Sequence, residues 1–590
     1  MLGRRLGVLL KDTGIGACLL LAAPAFADEG DLQRQINEMQ RQLKSMQDQQ
    51  IPMQRQLKSM QDQLARNKRQ QAEQARAAEQ SAQNAQQAGQ SIDQAYAKAI
   101  GADTAKSAGG TMFSKAIPPS FGGIHTSMAG TFVALEGAWR EHNEVANGAS
   151  SPPFGSPGIP LHNSALFNQN EFRMSAQQSR IALRAWGDIS ATQRLEAYYE
   201  MDFLGASVDA NNRESNSFVP RIRQAFGSYD NDDYHFHFLG GQAWSLLTQN
   251  RVGITPRYEN VPLTIDAQYV VGFNWLRNPQ LRFVADWNNI AWFGVSVEQP
   301  GAVFPSAPSA STVAPPGQTV NINNFCTTSS HLNGSTTCSN DVAPDIIEKF
   351  AFDPGWGHYE ALALQRWISD SVTPTVTPAN WSQKTTFGWG VGGSFLVPAM
   401  PRYLDLQGSV LYGEGIGRFS SSQLPDAVIG PSGALTPVTG LQFLVGGVAH
   451  PWAGLDIYAY YGQDRTYANS WTIGTTQGGW GNPNFLNDGC LLQSLTNGGA
   501  LLSGSPFNTP ITGTTCTFDV QRTQEFTVGL WQTAYKGELG RAVLGLQYAY
   551  VRLTAFPGLP GPITATSTPN QGLNPNNNIF MFSFRYYPFN

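Results

Sequence analysis

A run of ten alternating residues places the strongest constraint on how this chain can fold. The run is Arg194-Leu195-Glu196-Ala197-Tyr198-Tyr199-Glu200-Met201-Asp202-Phe203. Its odd positions are all apolar or aromatic, and its even positions are charged apart from Tyr198. Because a strand places successive side chains on opposite faces, this segment predicts a strand with one oily face and one charged face. The pattern recurs along the chain, which predicts an all-β transmembrane antiparallel β-barrel with lipid outside and water inside.

The N-terminus predicts a secretory signal peptide over residues 1–27. Basic residues before position 12 precede an apolar run over residues 15–23, and Ala25-Phe26-Ala27 fits a cleavage site. A lipoprotein signal cleaved at Cys18 is the alternative, but most of the apolar run follows Cys18, which is the wrong order. After residue 27 no stretch approaches the roughly 18 consecutive apolar residues that a spanning helix needs.

The mature chain retains four cysteines, at Cys326, Cys338, Cys490 and Cys516. An even number of cysteines in an exported chain predicts two disulfides. Three connectivities are open, and the local pairs Cys326–Cys338 and Cys490–Cys516 are favoured because each closes a short loop. No Cys-x-x-Cys or His-rich spacing supports a metal site, so we expect no cofactor.

Residues 28–69 predict a periplasmic coiled coil. Apolar side chains repeat with 4,3 spacing at Leu32, Ile36, Met39, Leu43, Met46, Met53, Leu57, Met60 and Leu64, with Gln50 as the polar member. A single solvated helix is the alternative, since Gln and Met pack loosely. Residues 70–119 are rich in Ala, Gln and Ser and predict a flexible linker between this helix and the barrel domain, residues 120–590.

Residues 120–590 contain sixteen predicted strands. They are 124–141, 172–187, 192–204, 218–229, 234–244, 271–285, 290–298, 345–353, 357–369, 385–397, 402–414, 439–449, 453–466, 524–535, 540–553 and 577–589. Segment 262–270 is assigned to a loop, because short and long connections then alternate as in outer-membrane barrels. Sixteen strands enclose an aqueous lumen.

The charged faces of these strands predict the residues that line the lumen. They are Arg180, Arg184, Arg194, Glu196, Glu200, Asp202, Arg221, Arg223, His235 and His237. Two interpretations stay open: the arginines select anions in a transverse field, or they form ordinary salt bridges that stiffen the wall. The histidine pair could bind a metal, but no third ligand lies nearby, so the pair is interpreted as wall residues.

The third long connection, residues 245–270, is the predicted constriction. A loop of this length either packs outside the barrel or folds inward and sets the pore size. Its charged residues are Arg251, Arg257, Glu259 and Asp266.

Other function classes are disfavoured. The net charge of −5 argues against nucleic-acid binding. No G-x-S-x-G motif is present, and His162-Asn163-Ser164 has no partner that would place it in a catalytic triad, so we expect no enzyme.

Several segments resemble the DcaP-like porins of Gram-negative outer membranes. They are Gln178-Ser179-Arg180-Ile181-Ala182-Leu183-Arg184, Gly240-Gly241-Gln242-Ala243-Trp244-Ser245, Arg277-Asn278-Pro279-Gln280-Leu281-Arg282-Phe283, Pro344-Asp345-Ile346-Ile347 and Gly413-Glu414-Gly415-Ile416-Gly417-Arg418. The resemblance implies a homotrimer of sixteen-stranded barrels that passes small anionic solutes such as dicarboxylates. It also implies that Arg180, Arg184, Arg221 and Arg223 lie on the pore wall.

The sequence therefore predicts a passive outer-membrane porin whose N-terminal segment lies in the periplasm. The expected partners are the lipid bilayer, lipopolysaccharide and small anions. The alternative is a structural protein whose coiled coil tethers the outer membrane to peptidoglycan. A barrel hydrolase is the third hypothesis.

Overall fold

The computed structural model describes residues 120–121, 123–144, 159–160, 165–205, 219–267, 269–304, 313–321, 337–339, 341–378, 380–484, 486–488, 519–557, 559–560 and 575–589. The predicted signal peptide, coiled coil and linker lie outside these residues. So do Cys326, Cys490 and Cys516, and with them the two predicted disulfides.

The described residues form sixteen long strands, of which the first two are each interrupted once. Strand β1 comprises Ile124–Ser127 and Val133–Arg140, and β2 comprises Glu171–Ser175 and Ile181–Ser190. The others are β3 Gln193–Gly205, β4 Val219–Asn231, β5 Phe236–Trp244, β6 Arg277–Trp287, β7 Ala291–Glu298, β8 Asp345–Phe352, β9 His358–Pro374, β10 Ser382–Met400, β11 Leu404–Glu414, β12 Thr439–Trp452, β13 Leu455–Thr466, β14 Val520–Gly537, β15 Gly540–Ala555 and β16 Asn576–Tyr587.

Shorter elements decorate the connections. The short strands are Ser120–Phe121, Ala302–Phe304, Gln318–Asn321, Thr337–Ser339, Ala427–Ile429, Leu435–Pro437, Asn469–Ile473, Thr476–Trp480, Leu486–Asp488 and Leu559–Pro560, and the 3-10 helices are Ala165–Asn168 and Gly417–Phe419. Within the part of the chain that the structure describes, no helix has the length and apolarity needed to cross a membrane.

The long strands form one large antiparallel sheet in which each strand pairs with its neighbours in chain order. The last strand also pairs with the first, from Ile579↔Arg140 to Tyr586↔Val133. The pairing of β1 with β2 is discontinuous: their two halves pair separately, and a single bridge between Phe132 and Arg180 joins them. The predicted all-β class with a large antiparallel sheet is confirmed.

Strands β3 and β4 separate exposed apolar from buried polar side chains as the alternation predicts. On β3, Leu195 is 52% exposed, whereas Glu200 and Asp202 are 5% and 1% exposed. On β4, Ile222 is exposed and its neighbour Arg223 is buried. The exposed apolar side chains therefore form the outer face of the sheet, and the polar side chains form the inner face, against which loops pack.

One predicted strand is wrong at its start. The sequence predicted a strand from residue 271, but β6 begins at Arg277. Val270, Val271 and Phe273 are buried inside the sheet instead, because they pack against its inner face as part of a loop. The loop therefore extends over residues 245–276, and we call it the inner loop.

Candidate functional site

The inner loop lies against the inner face of the sheet and is held there through its backbone. Five of its N–H groups donate to wall side chains at 2.6–2.9 Å. The pairs are Leu246 with Glu298, Asn250 with Glu360, Gly253 with Asp353, Ile265 with Gln547, and Val271 with Glu525. Because these acceptors lie on or beside β7, β8, β9, β14 and β15, the loop crosses the interior from one side to the other.

Apolar contacts add to this docking. Ile265 and Val271 pack with Val551 and Ile579 of the wall, and at the other end Ile254 packs in a second cluster. Each fully buried side chain of this size contributes about 1.5–3 kcal/mol. The inner loop is therefore part of the hydrophobic core and is fixed relative to the wall.

A second loop, residues 415–438, also folds inward and braces the inner loop. The Trp275 N–H donates to the Phe419 carbonyl at 2.7 Å, and Trp275 Nε1 donates to Ser421 Oγ at 3.2 Å. Ser421 Oγ in turn donates to the Val270 carbonyl at 3.1 Å. This bracing has no local sequence signal, because the two loops are about 150 residues apart and neither has a continuous strand or helix period.

A buried ion pair anchors the start of the inner loop. Lys349 Nζ donates to the Thr248 carbonyl at 2.7 Å, to Asn250 Oδ1 at 3.1 Å and to Glu360 Oε1 at 2.9 Å. The Lys349 and Glu360 side chains are both fully buried. An unpaired charge there would be costly, so the pair and the loop segment stabilise each other.

Between the inner loop and the wall lies a cavity of about 290 Å³. Its lining includes six arginines, Arg180, Arg223, Arg251, Arg257, Arg541 and Arg585, and four carboxylates, Glu200, Glu259, Asp266 and Asp456. Loop and wall both contribute, so all four charged residues predicted for the constriction loop line this one cavity.

The arginines and carboxylates predicted on β2 to β4 lie close together in the structure. Arg184 Nε donates to Glu196 at 2.8 Å, and Arg221 lies 2.7 Å from Asp202. Arg223 bridges Glu200 and Asp202, and Arg180 lies 3.6 Å from Glu200. These ion pairs are the wall salt bridges of the second interpretation, and they neutralise much of the charge of this ladder.

Aromatic rings hold several cavity arginines from behind. The guanidinium of Arg257 lies 5.5 Å from the Tyr198 ring centre, and its Nε lies 2.9 Å from Glu196. Arg585 lies 4.6 Å from the Trp531 ring and is also paired with Glu136. Cation–π contacts of this kind fix a guanidinium in place without neutralising it.

Arg541 differs from the other wall arginines of the cavity. It lies over the Tyr587 ring at 4.3 Å, and no carboxylate of the described residues is within ion-pair distance. Its Nε is buried and has no hydrogen-bond partner among those residues. An anion in the cavity could accept from such a donor.

Loop acids modulate this positive field. Burial raises the pKa of the Glu259 carboxyl above its ordinary value, although Arg282 and Arg257 oppose the rise. Its charge is therefore more easily lost on acidification than that of an exposed glutamate.

Three predicted pore residues lie at the short-turn end of the sheet instead of beside the cavity. His237 places its ring nitrogens 2.8 Å from Asp230 and 3.1 Å from Asp286, and His235 lies 3.2 Å from Asp286. Arg194 pairs with Asp188 at 2.7 Å beside an exposed turn. Each histidine contacts carboxylates, and no cluster of three metal-ligating side chains occurs among residues that the structure describes.

Four important interior residues were missed by sequence reasoning. Arg585 could have been found, because it shares the phase of Met581 and Ser583, opposite the exposed Phe580 and Phe584. Arg541 precedes the apolar alternation of β15 and carried no such signal. Lys349 and Glu360 alternate with apolar residues on both faces of their strands, so the sequence does not say which face is inside.

No protein-family model matches the sequence, and no curated protein matches it. Among solved structures, the outer-membrane channel DcaP of Acinetobacter baumannii has a TM-score of 0.50 at 15% identity, covering 79% of this chain and 98% of that chain. The anion-selective porin from Comamonas acidovorans (10% identity, 78% and 99% coverage) and OprB of Pseudomonas putida (11%, 79% and 94%) each have a TM-score of 0.38. The fold assignment rests on the DcaP channel alone. The described part of the chain has a DcaP-like porin fold.

Proposed function

We propose that the protein is an outer-membrane porin that passes small hydrophilic solutes by passive diffusion. In this proposal the sixteen strands close into a barrel through the β16–β1 pairing, with the apolar face toward lipid. The observation that carries it is the inner loop, which crosses the interior and leaves an arginine-rich cavity against the wall. A loop in that position narrows the lumen without closing it.

The charge of the cavity supports a preference for anions. Six arginines face four carboxylates, and among the described residues Arg541 has no carboxylate within ion-pair distance. In a narrow site walled by protein, such an excess raises the local concentration of the opposite charge. A guanidinium can bind a carboxylate with two parallel hydrogen bonds, so small organic acids such as dicarboxylates are the proposed solutes. The salt bridges on β2 to β4 make this preference mild.

Reversal potential across a KCl gradient tests the proposal directly. The purified protein should conduct in planar bilayers, with a potential whose sign reports anion preference. Conductance steps in groups of three would support the proposed homotrimer. A protein that inserts stably but never conducts would overturn the porin proposal.

The variant Arg541→Ala tests which residues set the preference. At roughly 8 Å and an effective dielectric of about 20–80, one charge contributes about 0.5–2 kcal/mol to the energy of an ion. We therefore expect the anion-to-cation permeability ratio to fall by roughly 2- to 30-fold. Arg402→Gln removes an exposed arginine from a short turn outside the cavity and should leave the ratio unchanged. Equal ratios in both variants would remove Arg541 from the selectivity site.

The alternative function is a tether in which the N-terminal coiled coil holds the outer membrane to peptidoglycan. Deleting residues 28–69 separates the two functions. Unchanged conductance with a weakened envelope favours the tether, and unchanged envelope strength excludes it.

A further inference from the structure

Three arginines form a cluster on the outer face of the sheet, at the end where the long connections emerge. Arg465 of β13 pairs in register with Arg522 of β14, and Arg552 of β15 pairs with Gln524 two residues further along β14. All three are in phase with exposed apolar residues of their own strands: Arg465 with Ile457, Arg522 with Phe526, and Arg552 with Leu546. They therefore face away from the lumen.

The partners that the structure gives Arg465 and Arg522 are neutral. Arg465 lies over the Tyr467 ring at 4.9 Å, and its Nε is buried without a hydrogen-bond partner among the described residues. Arg522 Nε donates to Thr554 Oγ1 at 3.3 Å. Like charges placed directly opposite on adjacent strands repel each other. An anion bound between Arg465 and Arg522 would relieve this repulsion.

The position of the cluster indicates where that anion comes from. An aromatic group lies on the same face, one step toward the short turns, and consists of Tyr461, Phe526, Tyr548, Tyr550 and Phe580. Below it the face is aliphatic, with Val445, Ile457, Leu544 and Leu546 exposed. Aromatic side chains of this kind mark the boundary between hydrocarbon and headgroups, so the arginines lie at headgroup level.

The rest of the outer face does not repeat this arrangement. The outward charges on β8 and β11 are acidic, Glu348 and Glu414. On β16 the residue opposite Arg552 is the neutral Asn576. Two residues further, Asn578 receives a 2.6 Å hydrogen bond from Tyr548 and donates to Glu141. Among the described residues, the cluster of three arginines on this face thus lies on the arc of strands from β13 to β15.

We propose that Arg465, Arg522 and Arg552 form a binding site for the phosphate groups of lipopolysaccharide. Guanidinium groups bind phosphate oxygens with two hydrogen bonds each, and three on one arc can hold a lipid that carries more than one phosphate. The acyl chains of that lipid would lie along the aromatic and aliphatic residues below. The proposal rests on the outer-membrane porin of the proposed function, with its long connections on the extracellular side as in outer-membrane barrels, and it is independent of whether the channel conducts.

The test compares lipid binding by the full-length protein and a triple variant, Arg465→Gln/Arg522→Gln/Arg552→Gln, in detergent micelles. The probe is phosphorylated lipid A, and dephosphorylated lipid A is the matched control ligand. Lys536→Gln removes a cation from the opposite end of β14 and is the control variant. Folding is checked by heat-modifiable migration on gels, and Arg552→Gln alone replaces the triple variant if that one does not fold.

We expect the triple variant to bind phosphorylated lipid A about tenfold more weakly or worse, and Lys536→Gln to bind it normally. Dephosphorylated lipid A should bind the native protein and the triple variant equally weakly. Equal affinity of the native protein and the triple variant for phosphorylated lipid A would overturn the proposal. Displacement of the lipid by an equal concentration of inorganic phosphate would reassign the site to free phosphate. A changed oligomeric state with unchanged lipid binding would make this face a subunit contact, which also overturns the proposal.

Discussion

Replacing Lys349 by methionine isolates the contribution of the wall to the position of the inner loop. Methionine keeps the length of the side chain but removes the ammonium group that donates to Thr248, Asn250 and Glu360. The strand pairing of β8 is unchanged by the substitution, because Lys349 pairs with its neighbours through its backbone.

The magnitude follows from burial. Removing one partner of a fully buried ion pair costs about 3–5 kcal/mol, because the remaining charge is left uncompensated. His358 Nε2 lies 3.1 Å from the same Glu360 oxygen and, when protonated, offsets part of this cost. We therefore expect the lower half of the range, which reduces the ratio of docked to undocked loop segment by roughly a hundredfold to a thousandfold.

Single-channel recording in planar bilayers measures the result. Lys349→Met should show larger or more variable conductance, because the loop leaves the wall more often. Adding Glu360→Gln removes the orphaned charge and should restore part of the native behaviour, while Arg402→Gln serves as a surface control. A Lys349→Met channel with native conductance, native noise and a native thermal transition would refute the inference that this ion pair holds the loop.

Three further predictions concern the channel and its wall. Because the pKa of Glu259 is raised, this carboxyl should become neutral at a pH above the ordinary glutamate pKa of about 4.3, so anion preference should rise as pH falls. Glu259→Gln should show the higher anion preference already at neutral pH and should lose this pH-dependent rise. Asp426→Asn weakens a buried acceptor of Arg366 and should lower the free energy of unfolding by at most about 3–5 kcal/mol, which a lower thermal transition temperature would report. Spin labels at Leu195 should be accessible to lipid-soluble oxygen, and labels at Glu196 should be accessible to water-soluble quenchers. The reverse pattern would show that the charged face contacts lipid, against the proposed orientation of the wall.

Alternation alone located the strands because the requirement is local. Successive residues of β3 face opposite sides of the sheet, so the alternation by itself places Leu195 on the outer face and Glu196 on the inner face. The inner loop has no such rule. Val270 and Val271 resemble the start of a strand, yet both are buried by distant parts of the chain. Val271 contacts β14 and β15, about 250 to 280 residues away, and Val270 packs with residues of β12 and β13.

The charged residues of the loop could be named from the sequence, but their partners could not. Arg257 meets Glu196 across more than sixty residues, and Lys349 meets Asn250 across ninety-nine. Such pairs depend on where the loop crosses the interior, which is set by the whole sheet. Arg541 went unnoticed for the same reason, since only the assembled cavity shows that it has no carboxylate partner among the described residues.

The five hydrogen bonds that dock the inner loop have a consequence for how such a protein can diversify. The donors are backbone N–H groups, which every residue except proline supplies whatever its side chain. The position of the loop therefore depends on acceptor side chains of the wall, such as Glu298 and Gln547. Loop side chains that face the cavity can therefore change without loss of these five hydrogen bonds, so the solute preference could change while the strands stay the same.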